Sequence, residues 1–66
     1  MSENLLSPRQ RECIALAGRG LTSDQIAGEL NLSRRTVDQY IGEGGRRLGA
    51  RNRVQAVVKA LARGEI

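Results

Sequence analysis

The chain has 66 residues, with 11 Lys and Arg against 7 Asp and Glu, a formal charge of +4 at pH 7, one cysteine, one tyrosine and no histidine. From this composition we expect no zinc site, no histidine-activated nucleophile and no internal disulfide, and therefore neither an enzyme nor a metalloprotein. We also expect no signal peptide and no membrane span, which needs roughly 20 apolar residues. These exclusions predict a small cytoplasmic protein without a cofactor.

Positive charge is concentrated in the second half of the chain. Residues 1–33 hold three arginines and four acids, a sum of −1, whereas residues 34–66 hold eight cations and three acids, a sum of +5. This asymmetry favours an anionic partner, most often nucleic acid, although an arginine-rich solvated surface has the same composition. Because Tyr40 is the only aromatic residue, we do not expect the stacking platform by which proteins hold RNA or single-stranded DNA.

The first helix is predicted from its capping signals. Residues 7–10, Ser-Pro-Arg-Gln, form a capping box with proline at the first helical position, where its missing N–H does no harm. Apolar residues, among them Cys13 and Ile14, follow at helical spacing. We predict helix 1 over residues 8–18, ended by a nearby glycine. The thiol of Cys13 is interpreted as a small hydrophobic group and not as a reactive one.

The second helix is predicted to be short. Residues 22–25, Thr-Ser-Asp-Gln, form a second capping box, with an acid near the positive end of the helix. Ile26 and Leu30 belong to one apolar face, and Asn31 stands where a left-handed residue would end the helix. We therefore predict helix 2 over residues 23–30.

Two further helices complete the predicted fold. Helix 3 is predicted over residues 34–48, capped by Ser33 and closed by Gly49. Helix 4 follows an N-cap at Asn52 and ends at Gly64. The predicted apolar stripe of helix 4 consists of Val54, Val57, Val58 and Leu61.

No strand alternation persists along the chain, which predicts an all-α four-helix bundle, with residues 1–6 as a loose segment and residues 7–66 as the domain. Helix 2, its turn and helix 3 match the helix-turn-helix pattern. Counted from Ser23, the matching positions 4, 5, 8, 10, 15 and 18 are Ile26, Ala27, Leu30, Leu32, Val37 and Tyr40. The small Ala27 allows close helix approach, and Leu32 and Val37 fill the angle. The second helix of this motif enters the major groove of B-DNA, whereas the alternative is an ordinary helical hairpin.

Four further segments form a distinctive combination, which are residues 7–12 (SPRQRE), 20–27 (GLTSDQIA), 32–38 (LSRRTVD) and 46–56 (RRLGARNRVQA). Together they resemble the LuxR/GerE-type DNA-binding domain, which also ends the NarL/FixJ response regulators. The resemblance covers about residues 5–66. It implies a four-helix fold, sequence-specific binding of double-stranded DNA and transcriptional regulation in a bacterium. Members of the family usually bind as dimers, often through helix 4.

Helical geometry selects the residues of helix 3 that face away from the core. With Val37 directed at the core, the predicted base contacts are Arg35, Asp38, Gln39 and Gly42. Arginine can donate two hydrogen bonds to guanine, glutamine can form two with adenine, and a carboxylate can accept one from cytosine N4. A good bidentate pair contributes roughly 1–3 kcal/mol of discrimination between bases. Hydroxyls, guanidinium groups and helix N-termini are expected to contact phosphates, although any one arginine has simple solvation as its alternative. The predicted phosphate contacts are Thr22, Ser23, Ser33, Arg34, Thr36, Arg46, Arg51 and Arg53.

Helix 3 departs from the family pattern at two places. Asp38 stands where members often carry a basic residue, and Gly44 and Gly45 stand where they usually carry bulky apolar ones. Together with Gly42, these glycines each weaken a helix by about 1 kcal/mol relative to alanine. Three explanations stay open: the helix bends or frays after Ile41, helices pack unusually close there, or a partner fills the space.

Helix 4 is the predicted surface for self-association. Its stripe of Val54, Val57, Val58 and Leu61 holds more apolar residues than one face of a small core needs, so we expect Val58 and its neighbours to be partly exposed and to pair around a two-fold axis. The alternative is that all four side chains belong to the core.

The sequence as a whole predicts a DNA-binding domain of a bacterial transcriptional regulator. We expect it to bind double-stranded DNA with helix 3, about residues 34–48, in the major groove and to form a homodimer through helix 4. No membrane and no small-molecule ligand are expected as partners. The alternative is a protein-interaction module or small inhibitor of the same fold that pairs with another regulator and does not read DNA. Asp38, Glu43 and the glycines favour that alternative, and the arginine-rich half opposes it.

Overall fold

Four helices make up the structure, a computed structural model that describes residues 4–66. They are α1 (Pro8–Gly18), α2 (Ser23–Leu30), α3 (Arg34–Leu48) and α4 (Arg53–Arg63). No strand occurs within the described residues. The bounds agree with those predicted from the caps and the apolar spacing, and the all-α fold class is confirmed.

Every helix begins at a side chain that accepts a hydrogen bond from the backbone N–H of the third helical residue. These N-cap residues are Ser7, Thr22, Ser33 and Asn52. In α1 and α2 the glutamine at that third position also accepts from the N-cap backbone, which completes the two predicted capping boxes. A cap of this kind contributes typically about 1 kcal/mol, so the four ends are fixed by local sequence.

The ends of the helices are mostly as predicted. Asn31 closes α2 in the left-handed conformation with φ 57°, and Gly49 closes α3 with φ 72°. α1 ends differently, because its C-cap Arg19 has φ −86° and the chain turns at Gly20, with φ 96°. A left-handed Asn31 turns the chain directly from α2 towards the start of α3.

The core lies around α3, which packs against all three other helices. Ile14 of α1, Ile26 of α2 and Val37 of α3 are 0% exposed. Cys13 is equally buried, and this burial raises the pKa of its thiol, in agreement with its interpretation as a core residue. One face of α3 is therefore held from three sides.

α1 crosses α3 at Gly44, where an added Cβ atom would force a neighbouring side chain to shift. A Cβ atom added there would lie 2.7 Å from Ile14 Cδ1, 3.3 Å from Leu6 Cδ2 and 3.4 Å from Gln10 Cβ. α3 runs unbroken from Arg34 to Leu48. Of the three explanations left open by the sequence, unusually close packing of the helices is the one the structure contains.

The apolar stripe of α4 is mostly exposed, as predicted for Val58 and its neighbours, and other residues form the buried face of this helix. Ala56 and Ala60 face the core, with 1% and 0% exposure. Of the stripe, Val57 alone packs against the core, while Val54, Val58 and Leu61 are 72%, 56% and 59% exposed. Small side chains face inward because α4 lies close to α3. A Cβ atom added to Gly45 of α3 would lie only 3.6 Å from the Cβ of Ala56.

The two ends of the described chain are tied together by the carboxylate of Glu65. Leu5 N donates to its Oε2 at 2.7 Å and Leu6 N to its Oε1 at 3.4 Å, while Arg11 Nε lies 3.8 Å from Oε1. Leu6 is 3% exposed and belongs to the core. The predicted loose segment 1–6 therefore differs from the structure at its last two residues, and residues 1–3 lie outside the described residues.

Hydrogen bonding lowers the pKa of Glu65. The Leu5 N–H contributes most, and burial opposes it; the Leu6 N–H and the nearby Arg11 and Arg63 add to the lowering. The side chain is only 4% exposed, so these contacts replace hydration of the charged carboxylate. The sequence could not reveal this tie, because its partners are separated by 60 residues.

Replacing glycine at two positions of α3 tests the close packing. Gly44→Ala and Gly42→Ala gain the same helix propensity of about 1 kcal/mol, so their difference isolates packing. At Gly42 the nearest atom is Arg46 Nη1 at 3.8 Å, in ordinary contact. We expect the free energy of unfolding in urea to be about 1–3 kcal/mol lower for Gly44→Ala than for Gly42→Ala, the usual cost of overpacking. Equal stabilisation of both variants would contradict the crossing at Gly44.

Acidification tests the tie made by Glu65. Because its pKa is lower in the fold than the ordinary value of 4.5, the carboxylate stabilises the fold fully above that pH, and this contribution is lost as the pH falls through the folded pKa. We expect Glu65→Gln to lower the free energy of unfolding near neutral pH and to flatten its decline below pH 4.5. Glu12→Gln, at a side chain 51% exposed, is the control and should keep the wild-type profile.

Candidate nucleic-acid interface

α2, its turn and α3 form the predicted helix-turn-helix corner. Ile26, Ala27 and Val37 are buried in it. After the left-handed Asn31, Leu32 N donates to Ala27 O at 2.9 Å, which fixes the turn. Leu32 is partly buried and packs against the core. The residues chosen by the spacing rule therefore hold α3 at a fixed angle to α2.

The outer side of α3 carries the predicted base-contacting residues, which are Arg35, Asp38, Gln39 and Gly42. All four are exposed, and Arg46 continues the same side one turn further. The inner side of α3 buries Val37, Ile41 and Leu48. One side of α3 is thus packed against the core and the other is exposed to solvent, as is required of a helix that enters a DNA groove.

The predicted phosphate-contacting residues do not all share that open surface. Thr22, Ser33, Arg34, Arg46 and Arg51 are exposed, and Thr36 is half-buried. The hydroxyls of Thr22 and Ser33 cap α2 and α3, and the Thr36 hydroxyl lies 2.8 Å from that of Ser33. Each hydroxyl still has hydrogen-bonding capacity on the open side.

Ser23 is buried and Arg53 is half-buried, and both side chains bond to other parts of the fold. Ser23 is 8% exposed, and its hydroxyl donates to Asp38 Oδ1 at 2.5 Å. Arg53 Nη1 donates to Ser23 Oγ, and Nη2 donates to Leu21 O, both at 2.8 Å. The one proton of the Ser23 hydroxyl is therefore used within the protein, which differs from the predicted role of this residue at a phosphate. Sequence reasoning missed this network, since its members are 15 and 30 residues apart and no local pattern links them.

Arg34 bridges the acids of both helices. Its Nη1 lies 3.8 Å from Asp24 Oδ2 and its Nε lies 3.8 Å from Asp38 Oδ2. The three side chains are between 52% and 74% exposed, and exposed ion pairs of this kind contribute little, about 0–1 kcal/mol. The guanidinium of Arg34 can therefore exchange these partners for another anion at low cost.

A shallow depression separates the outer side of α3 from the start of α4. It is bordered by Asp38, Ile41, Gly42, Gly45, Arg46, Ala50, Arg51, Asn52 and Arg53. The absence of side chains at Gly42 and Gly45 leaves it open. Three guanidinium groups on its border make it a favourable place for an anionic group.

Other kinds of site are not found in the part of the chain that the structure describes. Residues 4–66 contain no cluster of three or more His, Cys, Asp or Glu side chains that could hold a metal ion. Among the same residues, no helix is both long and apolar enough to cross a membrane.

The family model for bacterial regulatory proteins of the luxR family matches residues 4–60. The chain belongs to this family. Within it, the spore germination protein GerE of Bacillus subtilis is 40% identical over 65 residues, covering 98% of this chain and 88% of GerE. The transcriptional activator protein SolR of Ralstonia solanacearum is 42% identical over 65 residues, but these make up only 28% of SolR.

Two solved structures have the same fold as this chain. The structure of the transcription factor GerE superposes with a TM-score of 0.89 at 33% identity, covering 96% of this chain and 94% of that one. The response regulator ChrA of a heme-sensing two-component system superposes with a TM-score of 0.88 at 29% identity, covering all of this chain and 33% of that one. The resemblance seen in the sequence is confirmed. The chain spans nearly the length of GerE and about a third of the larger regulators.

Arg53 is expected to stabilise this LuxR-type fold from its half-buried position. Arg53→Lys keeps the charge but replaces the planar fork that bonds both Ser23 Oγ and Leu21 O. We expect the free energy of unfolding to fall by about 1–3 kcal/mol, because a buried acceptor loses its partner. Arg51→Lys, at an exposed residue just before α4, should change it by less than about 0.5 kcal/mol. Equal effects in urea unfolding would contradict the internal role of Arg53.

Proposed function

We propose that this chain binds double-stranded DNA at specific sequences through the outer side of α3 and so regulates transcription in a bacterium. The observation that carries the proposal is the open side of α3 in a chain of the luxR family of regulatory proteins. The relatives GerE and SolR are named as a transcription factor and a transcriptional activator. DNA of a bacterium lies in the cytoplasm, which is where we place the chain.

Base reading is assigned to the exposed residues of α3. A helix of 15 residues is about 22 Å long, enough to cross the major groove with several side chains at base edges. Arg35 is suited to guanine O6 and N7, and Gln39 to adenine N6 and N7. Gly42 has no side chain, so it supports close approach of the helix and not a polar contact of its own.

Phosphate binding is assigned to exposed residues that flank α3. Thr22, Ser33 and Thr36 present hydroxyls at the starts of α2 and α3, where the helix ends carry partial positive charge. Arg34, Arg46 and Arg51 supply guanidinium groups for the phosphates. Ser23 and Arg53 are assigned only a supporting role, because their side chains bond each other.

Self-association is assigned to the exposed face of α4. Val54, Val58 and Leu61 are spaced by four and three residues and form one exposed apolar strip. Such a strip on a soluble domain marks an interaction surface, and a two-fold pairing would cover it symmetrically. For a dimer we expect half-sites about 10 bp apart, one turn of DNA.

The alternative of an interaction module that does not read DNA has no observation in its favour that outweighs family membership. Asp38 is one of the residues that favour this alternative, beside Glu43 and the glycines, and in the structure this acid is tied to Ser23 and Arg34. Its charge is therefore partly compensated within the protein. The arginines around it remain available for an anionic partner.

Salt dependence and single substitutions test DNA binding. In fluorescence anisotropy with a duplex selected from a random pool, affinity should fall steeply with rising KCl through counterion release. Arg46→Ala should weaken binding to every duplex alike and lower the salt slope by about one, whereas Gln39→Ala should relax preference at one base pair. Arg19→Ala is the control, since Arg19 lies beside Val57 and Ile66, away from α3. An absence of binding to any duplex at low salt would remove the proposal.

A charged residue in the apolar strip tests the dimer. Val58→Asp should leave the fold intact, because Val58 is 56% exposed, but should abolish cooperative binding of two copies to adjacent half-sites. Lys59→Asp is the control, since it changes the charge by more on a residue that points about 100° away around the helix. Cooperative binding by Val58→Asp in band-shift titrations would rule out α4 as the contact.

A further inference from the structure

Asp38 is held by a chain of hydrogen bonds with a fixed direction. Arginine carries only donors, so the contact of Arg53 Nη1 with Ser23 Oγ occupies a lone pair of the serine oxygen. The single hydroxyl proton of Ser23 then points to Asp38 Oδ1, 2.5 Å away. Arg53 is itself fixed by its second bond, to Leu21 O. The carboxylate is thus anchored through two buried or half-buried side chains to the backbone before α2.

The other carboxylate oxygen is left for a partner. Asp38 Oδ2 lies 3.8 Å from Arg34 Nε, which is an ion-pair contact but too long for a hydrogen bond. The Asp38 side chain is 52% exposed and lies on the same open side of α3 as Gln39 and Gly42. A carboxylate without a proton only accepts hydrogen bonds. What it can bind in a groove is therefore an amino group.

We infer that Ser23 and Arg53 are positioning residues that hold Asp38 so that its free oxygen selects cytosine at one base pair. The inference rests on the proposed function, since it concerns how α3 reads DNA. Cytosine presents its N4 amino group in the major groove, whereas guanine and thymine present acceptors that repel a carboxylate, and adenine places its N7 acceptor beside its amino group. The residues that set this preference lie on three different helices.

The bond from Ser23 matters because an aspartate side chain that rotates freely would lose conformational entropy when DNA binds. A side chain fixed beforehand in its bound orientation loses less entropy and gives a sharper difference between right and wrong bases. The same carboxylate, if it swung towards Arg34 alone, would only neutralise a cation. The bond from Ser23 keeps Asp38 from that purely ionic role.

The test compares ratios of affinity, which do not depend on how much of a variant is folded. A bound duplex is first selected from a random pool with the wild-type chain. For each base pair of the selected half-site, four duplexes that differ only at that pair are then titrated by anisotropy with wild type, Asp38→Ala, Asp38→Asn and Ser23→Ala. Ser7→Ala is the matched control, because it also removes an N-terminal hydroxyl hydrogen bond, but at α1.

At one of these base pairs we expect the wild type to bind the cytosine duplex about fivefold or more tightly than the others. Asp38→Ala should lose this preference. Asp38→Asn should move the preference towards adenine, since an amide both donates and accepts. Ser23→Ala should reduce the cytosine preference to about twofold or less while other positions keep theirs, and Ser23→Thr, which retains the hydroxyl, should restore it. Ser7→Ala should leave every ratio unchanged.

Each result decides the inference. An unchanged cytosine preference in Ser23→Ala, or in Asp38→Ala, would overturn it while leaving DNA binding by α3 intact. If Ser23→Ala does not fold, Arg53→Lys takes its place in the test. We then expect Arg53→Lys to reduce the cytosine preference to about twofold or less. An unchanged cytosine preference in Arg53→Lys would overturn the inference. A wild-type chain that binds all duplexes equally would instead contradict the proposed function, and this inference with it.

Discussion

The close crossing of α1 over α3 at Gly44 is the contact on which the rest of this small fold depends. In 66 residues there is little apolar surface to bury, so helices must approach closely to hold one another. A glycine at the crossing brings the buried Ile14 against the backbone of α3. Because α3 is gripped along this side, its opposite side needs no support from other elements. This exposed side of α3 is the surface to which the proposed contacts with DNA bases are assigned.

Two networks of polar contacts join the helices in addition to the small apolar core. On one flank of α3, the chain of bonds from Arg53 through Ser23 to Asp38 joins the beginnings of α2 and α4 to the middle of α3. At the other end of the molecule, Glu65 ties the last described turn to Leu5 and Leu6. In both networks the buried groups, the Ser23 hydroxyl and the Glu65 carboxylate, are hydrogen-bonded, the condition under which polar groups stabilise a core.

Local rules predicted most of the fold. Caps and helical spacing gave the four helices, and the left-handed Asn31 and the buried Val37 followed from the turn pattern. The exposure of Val58 and its neighbours was predicted, but the inner face of α4 was not identified, because hydrophobicity gives no reason to choose Ala56 and Ala60, which close packing requires. For the candidate site, exposure on α3 followed from helical angles. The burial of Ser23 did not, because its partners are distant in sequence and appear only once the helices are assembled.

The most direct test of the central claim is a titration of the isotopically labelled chain with a selected duplex, followed by amide chemical shifts. If the outer side of α3 meets the bases while its inner side stays held by the core, the amides of residues 33–42 should shift most. Amides of α1 on the far side of the core should move least. Binding of the duplex with residues 33–42 unmoved would contradict the assignment of α3 as the reading helix.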